Sequence, residues 1–379
     1  MASRKNIVAN IIVLGMMLVC FGAATPAFAV KLRDQIQQKI LEKSGEQELT
    51  MPRDRRGGMQ PQSPLDPEMV DIAGKIDARK FPAGSRVLSN QAYGPDLKQK
   101  LDVYAPSSPR SAPIIIMVHG GAWRVGDKAN GPVVENKAIK WLSKGYVFVS
   151  VNYRLSPQAN PIVQATDVMM AIAWVQKNAP MWGGDPNKII LMGHSAGAHL
   201  VALVSANQEI RVKAGLRGWR GSVILDSASF DIVELMRHQH YAFYDEIFGN
   251  NQELWKAASP YQQLKAGTSP MLLVCSTVRK DSCAQANKFA QKVISLGGQA
   301  VVQQEDLRHP EINSQLGLPG AYTDVVDKVI DVMLNTPIPP VITGDAPVQA
   351  PANQVQPQEV HPVAPPEKGI PEYQPVRPE

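Results

Sequence analysis

Charge is sparse in this chain and cysteine sparser still. Charged residues are 19% of the 379 positions and hydrophobic ones 44%, ample apolar material for one large core or two modest ones, so a single catalytic domain with appendages is expected. No dense basic stripe with interleaved aromatics occurs, and nucleic acid is therefore not expected as a partner. The formal net charge of +5 divides into +2 before residue 30, −3 over residues 337–379 and +6 between them, an ordinary solvated surface. No cluster of His, Cys and acidic residues has ligand-like spacing, so neither a metal nor a cofactor is expected. No internal repeat is visible.

The three cysteines are distributed unequally. Cys20 lies in an uncharged apolar stretch that follows Arg4 and Lys5 and ends in Ala27-Phe28-Ala29. That is the pattern of a secretory signal peptide, residues 1–29, cleaved after Ala29 to give a periplasmic or secreted protein. The uncharged run is also long enough to span a bilayer, so membrane contact would follow if it stayed uncleaved. Lipidation of Cys20 is disfavoured by Val19 before it. In an oxidising compartment Cys275 and Cys283 can form a disulfide; two buried thiols are the alternative.

Two flanks enclose the remainder. Residues 30–80 are charged, mixed in sign and turn-rich near Pro52, an extension docked loosely if at all. Residues 337–379 hold 12 prolines and no apolar periodicity, which suits a disordered tail, or alternatively a segment that contacts envelope components. Residues 81–336 alternate β-branched apolar runs with helical patterns, the sign of an α/β domain with a mostly parallel sheet and helices on both faces. A hairpin is expected over 86–93 and 98–104, with strands at 114–118, 147–152, 188–192, 222–225, 271–275 and 300–304. Helices are expected at 161–178, 196–206, 282–296 and 321–334.

Two motifs carry chemistry. Gly193-His194-Ser195-Ala196-Gly197 lies between the apolar strand 189–192 and a helical run from Ala196, a nucleophile elbow in its strand–turn–helix setting. Flanking glycines keep side chains off the neighbouring strand and helix, while Ser195 projects its hydroxyl and the helix N-terminus faces a developing oxyanion. Upstream, the strand 114–118 runs into His119-Gly120-Gly121-Ala122-Trp123. A Gly-rich loop exposes backbone donors without side-chain bulk, so Gly121, Ala122 and Ala196 are the expected oxyanion hole.

With these motifs the chain resembles the H-G-G-x-W esterase/lipase branch of the α/β-hydrolases, near the hormone-sensitive-lipase-like carboxylesterases and the bacterial feruloyl and acetyl xylan esterases. Tyr153-Arg154-Leu155-Ser156-Pro157, Asp167 through Trp174, and Gly184-Asp185-Pro186-Asn187-Lys188 fit the same pattern, and the resemblance spans roughly residues 87–334. It implies an eight-stranded sheet with an insertion after the sixth strand, and a catalytic order of Ser, acid, His. That order points to Asp281 as the acid, beyond the next-to-last strand, and to His309 as the base, beyond the last. Asp226, ending the strand after the elbow, is the alternative acid, and Asp306 a lesser one. His194 and His199 lie too close to Ser195 in sequence to approach it from the base's side; His119 is read as structural, and His238, His240 and His361 fall in the insertion and the tail. One departure is Cys275-Ser276 where relatives usually carry His-Gly, so a loop braced by Cys275 and Cys283 could shape the acid's surroundings differently.

The expected activity is hydrolysis of carboxylic esters, small acyl or carbohydrate-linked, through an acyl-enzyme. Aromatics between residues 226 and 269, together with Trp123, suit a small acyl or aryl group, although at least half of them should simply pack the insertion onto the sheet. A formamidase or other amide hydrolase is the enzymatic alternative. A non-catalytic envelope-binding protein is the other.

Overall fold

The computed structural model describes Gly74 and residues 76–338. The expected signal, nearly all of the extension and the proline-rich tail lie outside the described residues. Among the described residues no helix is long and apolar enough to cross a membrane.

An eight-stranded sheet forms the centre. Its strands are β1 (Arg86–Ala92), β2 (Lys100–Ala105), β3 (Ala112–Val118), β4 (Val147–Val151), β5 (Gly184–His194), β6 (Gly221–Leu225), β7 (Met271–Ser276) and β8 (Ala300–Glu305). They are ordered β1-β2-β4-β3-β5-β6-β7-β8. β2 pairs antiparallel with β1 and β4, and from β4 to β8 every pairing is parallel. Central parallel strands covered on both faces need apolar residues at every position. β3 and β5 meet that need: Ile114, Ile116, Ile189 and Leu191 point into one core, and Ile115, Met117, Ile190 and Met192 into the other.

Helices close both faces. In chain order they begin with α1 (Gly131–Ser143), α2 (Pro161–Asn178), α3 (Ala196–Ala206) and α4 (Gln208–Lys213). The insertion between β6 and β7 contributes α5 (Ile232–Arg237), α6 (Phe243–Phe248), α7 (Gln252–Ala257) and α8 (Pro260–Gln263), and the chain continues through α9 (Ser282–Ser295), α10 (His309–Gln315) and α11 (Ala321–Asn335). α1 and α11 cover one face through Trp141, Val134, Val326 and Ile330. On the other face lie α2, α3 and α9, with Ile172, Leu200, Val201 and Phe289. α2 starts where Asn160 accepts hydrogen bonds from the N–H groups of Ile162 and Val163, ahead of Pro161 at the first helical position; Asn at the cap and Pro next to it are both favoured there. All eleven residues of α3 are buried, which explains a helix apolar on every side.

Expected strands and observed strands differ by a few residues at their ends. The four expected helices correspond to α2, α3, α9 and α11. The structure adds α1, α10 and the short helices of α4 and the insertion, the last of these too brief to show a periodic pattern.

Candidate active site

Ser195 sits between β5 and α3 with φ 55° and ψ −119°, a conformation that L residues resist and that is tolerated where surrounding structure enforces it. Here the enforcement is steric. A Cβ on Gly193 would lie 2.4 Å from the carbonyl oxygen of Gly197, and one on Gly197 would lie 2.2 Å from that of Val118. Only glycine at both positions lets β5, α3 and β3 approach this closely. The Ser195 N–H donates to the Leu225 carbonyl at 3.0 Å, fixing the turn to the end of β6.

The loop after β3 faces the elbow. Gly121, Ala122 and Trp123 all have positive φ, at 109°, 48° and 61°, and the Gly121 carbonyl accepts from the N–H groups of Arg124 and Val125. Ala122 and Ala196 line the same cleft as Ser195, together with Trp123, Phe243, Tyr244 and Arg279. At Gly121 a Cβ would meet the Val125 carbonyl oxygen at 2.2 Å, so the shape of the loop requires glycine there.

His309 opens α10, is 1% exposed, and places Nδ1 2.5 Å from Oδ2 of Asp226. Its Nε2 is buried and has no hydrogen-bond partner among the described residues. The structure thus corrects the expected acid. Asp281 is exposed just before α9 and no hydrogen bond joins it to His309 among the described residues; Asp226, at the end of β6, occupies the position beside Nδ1. The physical reason is sheet order. β6 adjoins the nucleophile strand β5, so its end lies one strand closer to Ser195 than the end of β7, and the chain after β8 folds back over β7 to bring His309 there. The loop after β7 supplies the other contacts to this acid.

Asp226 is fully buried and accepts from every side. Oδ1 accepts from the Ser276 N–H at 2.9 Å and from the Ser282 hydroxyl; Oδ2 accepts from His309 and from Nη1 of Arg279 at 2.9 Å. Burial works against ionisation, but the His309 hydrogen bond and charge, then Arg279 and Ser282, hold this carboxyl well below the usual carboxylate range. Nη1 also lies 3.0 Å from Nδ1 of His309, a close approach of two donors to one shared acceptor. Burial, then the neighbouring His194 and Arg279, push His309 down to about 4, against the upward pull of Asp226. The His194 ring lies 4.5 Å from that of His309, with its Nε2 3.0 Å from the His309 carbonyl oxygen.

The other expected residues are placed as follows. Cys275, next to last in β7, and Cys283, in α9, are joined as a disulfide. Of the insertion's aromatics, Phe243 and Tyr244 line the cavity, whereas Phe230 stacks on Phe289 of α9 at 4.7 Å and Tyr241 is exposed. Arg279 is the site residue that the sequence reading missed, since a surface-type cation in a loop carries no motif.

The BD-FAE family model matches residues 101–292, just over half of the chain. Among curated proteins, the chain is similar to isoprenylcysteine alpha-carbonyl methylesterase ICME of Arabidopsis thaliana, 28% identical over 64% of this chain and 60% of that protein. It is also similar to esterase LipQ of Mycobacterium tuberculosis, 31% identical over 49% of this chain and 47% of that one. The chain thus spans about half to three-fifths of the length of these relatives. Among solved structures, esterase B from Lactobacillus rhamnosis aligns with a TM-score of 0.56 at 20% identity, over 67% of this chain and 89% of that one, a likeness of fold.

Proposed function

Because the chain belongs to the BD-FAE family, we propose that it is a serine hydrolase that cleaves carboxylic esters, with Ser195 as nucleophile, His309 as base and Asp226 as the acid that orients it. The observation that carries this reading is His309: one ring nitrogen is bonded to a buried, ionised Asp226 and the other is buried and unpaired beside a strained nucleophile elbow. Nδ1 must donate to the carboxylate, so Nε2 is left as the acceptor, the tautomer a general base requires.

Attack of the Ser195 oxygen on the ester carbonyl carbon transfers the hydroxyl proton to Nε2 of His309. The carbonyl electron pair moves to oxygen, where the backbone N–H groups of Ala122 and Ala196 stabilise it. Collapse expels the alkoxide, which takes the proton from Nε2 and leaves as an alcohol. Water then repeats the sequence on the acyl-enzyme, releasing the carboxylic acid and restoring Ser195. Asp226 stays ionised throughout and stabilises the transient imidazolium.

A cavity bounded by Trp123, Phe243 and Tyr244 favours a short acyl group, carried on a small alcohol or on a sugar. Export through residues 1–29 belongs to the same proposal, and the mass of the mature N-terminus from an envelope fraction tests it. The hydrolytic reading is tested by Ser195→Ala, which should abolish turnover of a short acyl ester while the melting curve stays in place. Undiminished activity in that variant would sink the mechanism.

A further inference from the structure

His199 is a buried titratable group that the reaction above does not use. It lies one turn into α3 and is fully buried. Its ring stands edge-on to Trp123 at 5.2 Å and to Phe248 at 6.0 Å, and both ring nitrogens are bonded. Nε1 of Trp123 lies 3.2 Å from Nδ1 and the carbonyl oxygen of Ala258 lies 2.7 Å from Nε2. An indole N–H can only donate and a carbonyl can only accept. The ring is therefore neutral, with its proton on Nε2, in agreement with a burial that pushes His199 down to about 4.

The two ends of this bridge matter more than the ring. Trp123 and Ala122 hold consecutive left-handed conformations, which L residues keep only where neighbours fix them. The Trp123 carbonyl accepts from the Ser156 N–H and from Nε2 of Gln164, both at 2.9 Å, so the backbone is pinned on one side. His199 pins the side chain on the other. Ala258 lies between α7 and α8, so the bridge ends in the insertion, whose α6 carries the cavity residues Phe243 and Tyr244. A second tie runs parallel to it: Nη1 of Arg124, next in the loop, lies 3.0 Å from Oε2 of Glu246 in α6.

We propose that His199 is a positioning residue for the oxyanion hole: as a neutral two-ended bridge it holds Trp123, and through it the Ala122 N–H, in register with the insertion that shapes the acyl cavity. His199 itself touches no cavity surface. The inference rests on the esterase reading of the site.

The test compares the full chain with His199→Phe, Trp123→Phe and the double variant, using a short acyl ester and melting temperatures. Phenylalanine keeps the ring volume at position 199 and removes both hydrogen bonds. A sub-ångström to ångström loss of register costs rate with little change in binding, so His199→Phe should lower kcat about ten- to a hundredfold with KM within about twofold. The double variant should fall no further than the worse single, because both variants break the same Trp123–His199 bond. A folded His199→Phe with the wild-type kcat, or losses that multiply in the double variant, would overturn the proposal. If His199→Phe does not fold, Trp123→Phe decides, an unchanged kcat again overturning it. Failure of the esterase reading looks different: the unsubstituted chain would be inactive, or Ser195→Ala would remain active, and this inference would fall with it.

Discussion

The two sides of the site are built by different means. On the nucleophile side the geometry is main chain: glycines at 193 and 197 admit close contacts that a Cβ would block, and Ser195, Ala122 and Trp123 take positive φ values. On the acid side the geometry is set by a side chain: Asp226 gathers the Ser276 N–H, Arg279 and Ser282 from around the loop after β7 and His309 from beyond β8. A main-chain device demands particular residues at fixed spacing and so leaves a motif. A side-chain network demands only that donors converge on an acceptor, and donors of several kinds can come from distant parts of the chain.

The largest test of that contrast sets Asp226→Asn against Asp281→Asn. An amide at 226 forces the wrong tautomer on His309 and strands its donors, so kcat should fall roughly 10^3- to 10^4-fold. Asp281→Asn should change kcat less than about threefold, because that exposed side chain makes no hydrogen bond to His309 among the described residues. The reverse ranking with a short acyl ester would return the acid to the loop after β7.

On the main-chain side, Gly121→Ala is the next largest. Its φ of 109° and the 2.2 Å contact of a Cβ with the Val125 carbonyl oxygen require the oxyanion loop to move. Loss of one oxyanion donor costs about 10^2- to 10^3-fold in kcat, and a loss in that range with KM little changed is expected. A variant of full activity would show that this loop does not hold the oxyanion.

The same contrast explains what the sequence disclosed. The strands from β3 to β8 and the helices α2, α3, α9 and α11 were legible because buried parallel strands must be continuously apolar and α2 announces itself with Asn160-Pro161. The elbow and the His119–Trp123 loop were legible as main-chain motifs. Asp226 was visible as an acid at a strand end, yet chain order favoured Asp281, and nothing in the sequence reports that β6 lies beside β5. Arg279 and the bridging role of His199 were invisible, since each depends on which atoms meet across loops. The insertion's helices, four to six residues long, are shorter than the window in which a helical period registers.

The acyl cavity combines both kinds of construction, and it sharpens the comparison at moderate scale. Trp123 comes from the main-chain loop, whereas Phe243 and Tyr244 come from the insertion, with the Tyr244 hydroxyl 3.1 Å from Oγ of Ser229. Phe243→Ala should raise the butyrate-to-acetate ratio of kcat/KM by about tenfold, the value of one or two methylenes in an apolar pocket. An unchanged ratio would place chain-length selection elsewhere. Acetyl ester against formanilide, measured on the unsubstituted chain, likewise separates the esterase from the formamidase reading, with the ester expected to turn over faster.

The smallest effect probes the side-chain network where it touches the base. Arg279 places a fixed positive charge 3.0 Å from Nδ1 of His309 and shares its acceptor. Burial first, then His194 and this cation, hold His309 near 4, so the neutral ring that accepts the Ser195 proton persists well below neutrality, and the acid limb of kcat/KM should fall near pH 4 in place of the ordinary histidine range. Removing the cation favours the imidazolium, so Arg279→Gln should move that limb upward, by about one unit. Above pH 7 the ring is neutral in both proteins, and their rates should agree within a few-fold. A limb that moved down, or a loss uniform across pH, would mean that Arg279 acts by bracing Asp226 and not through its charge on the base.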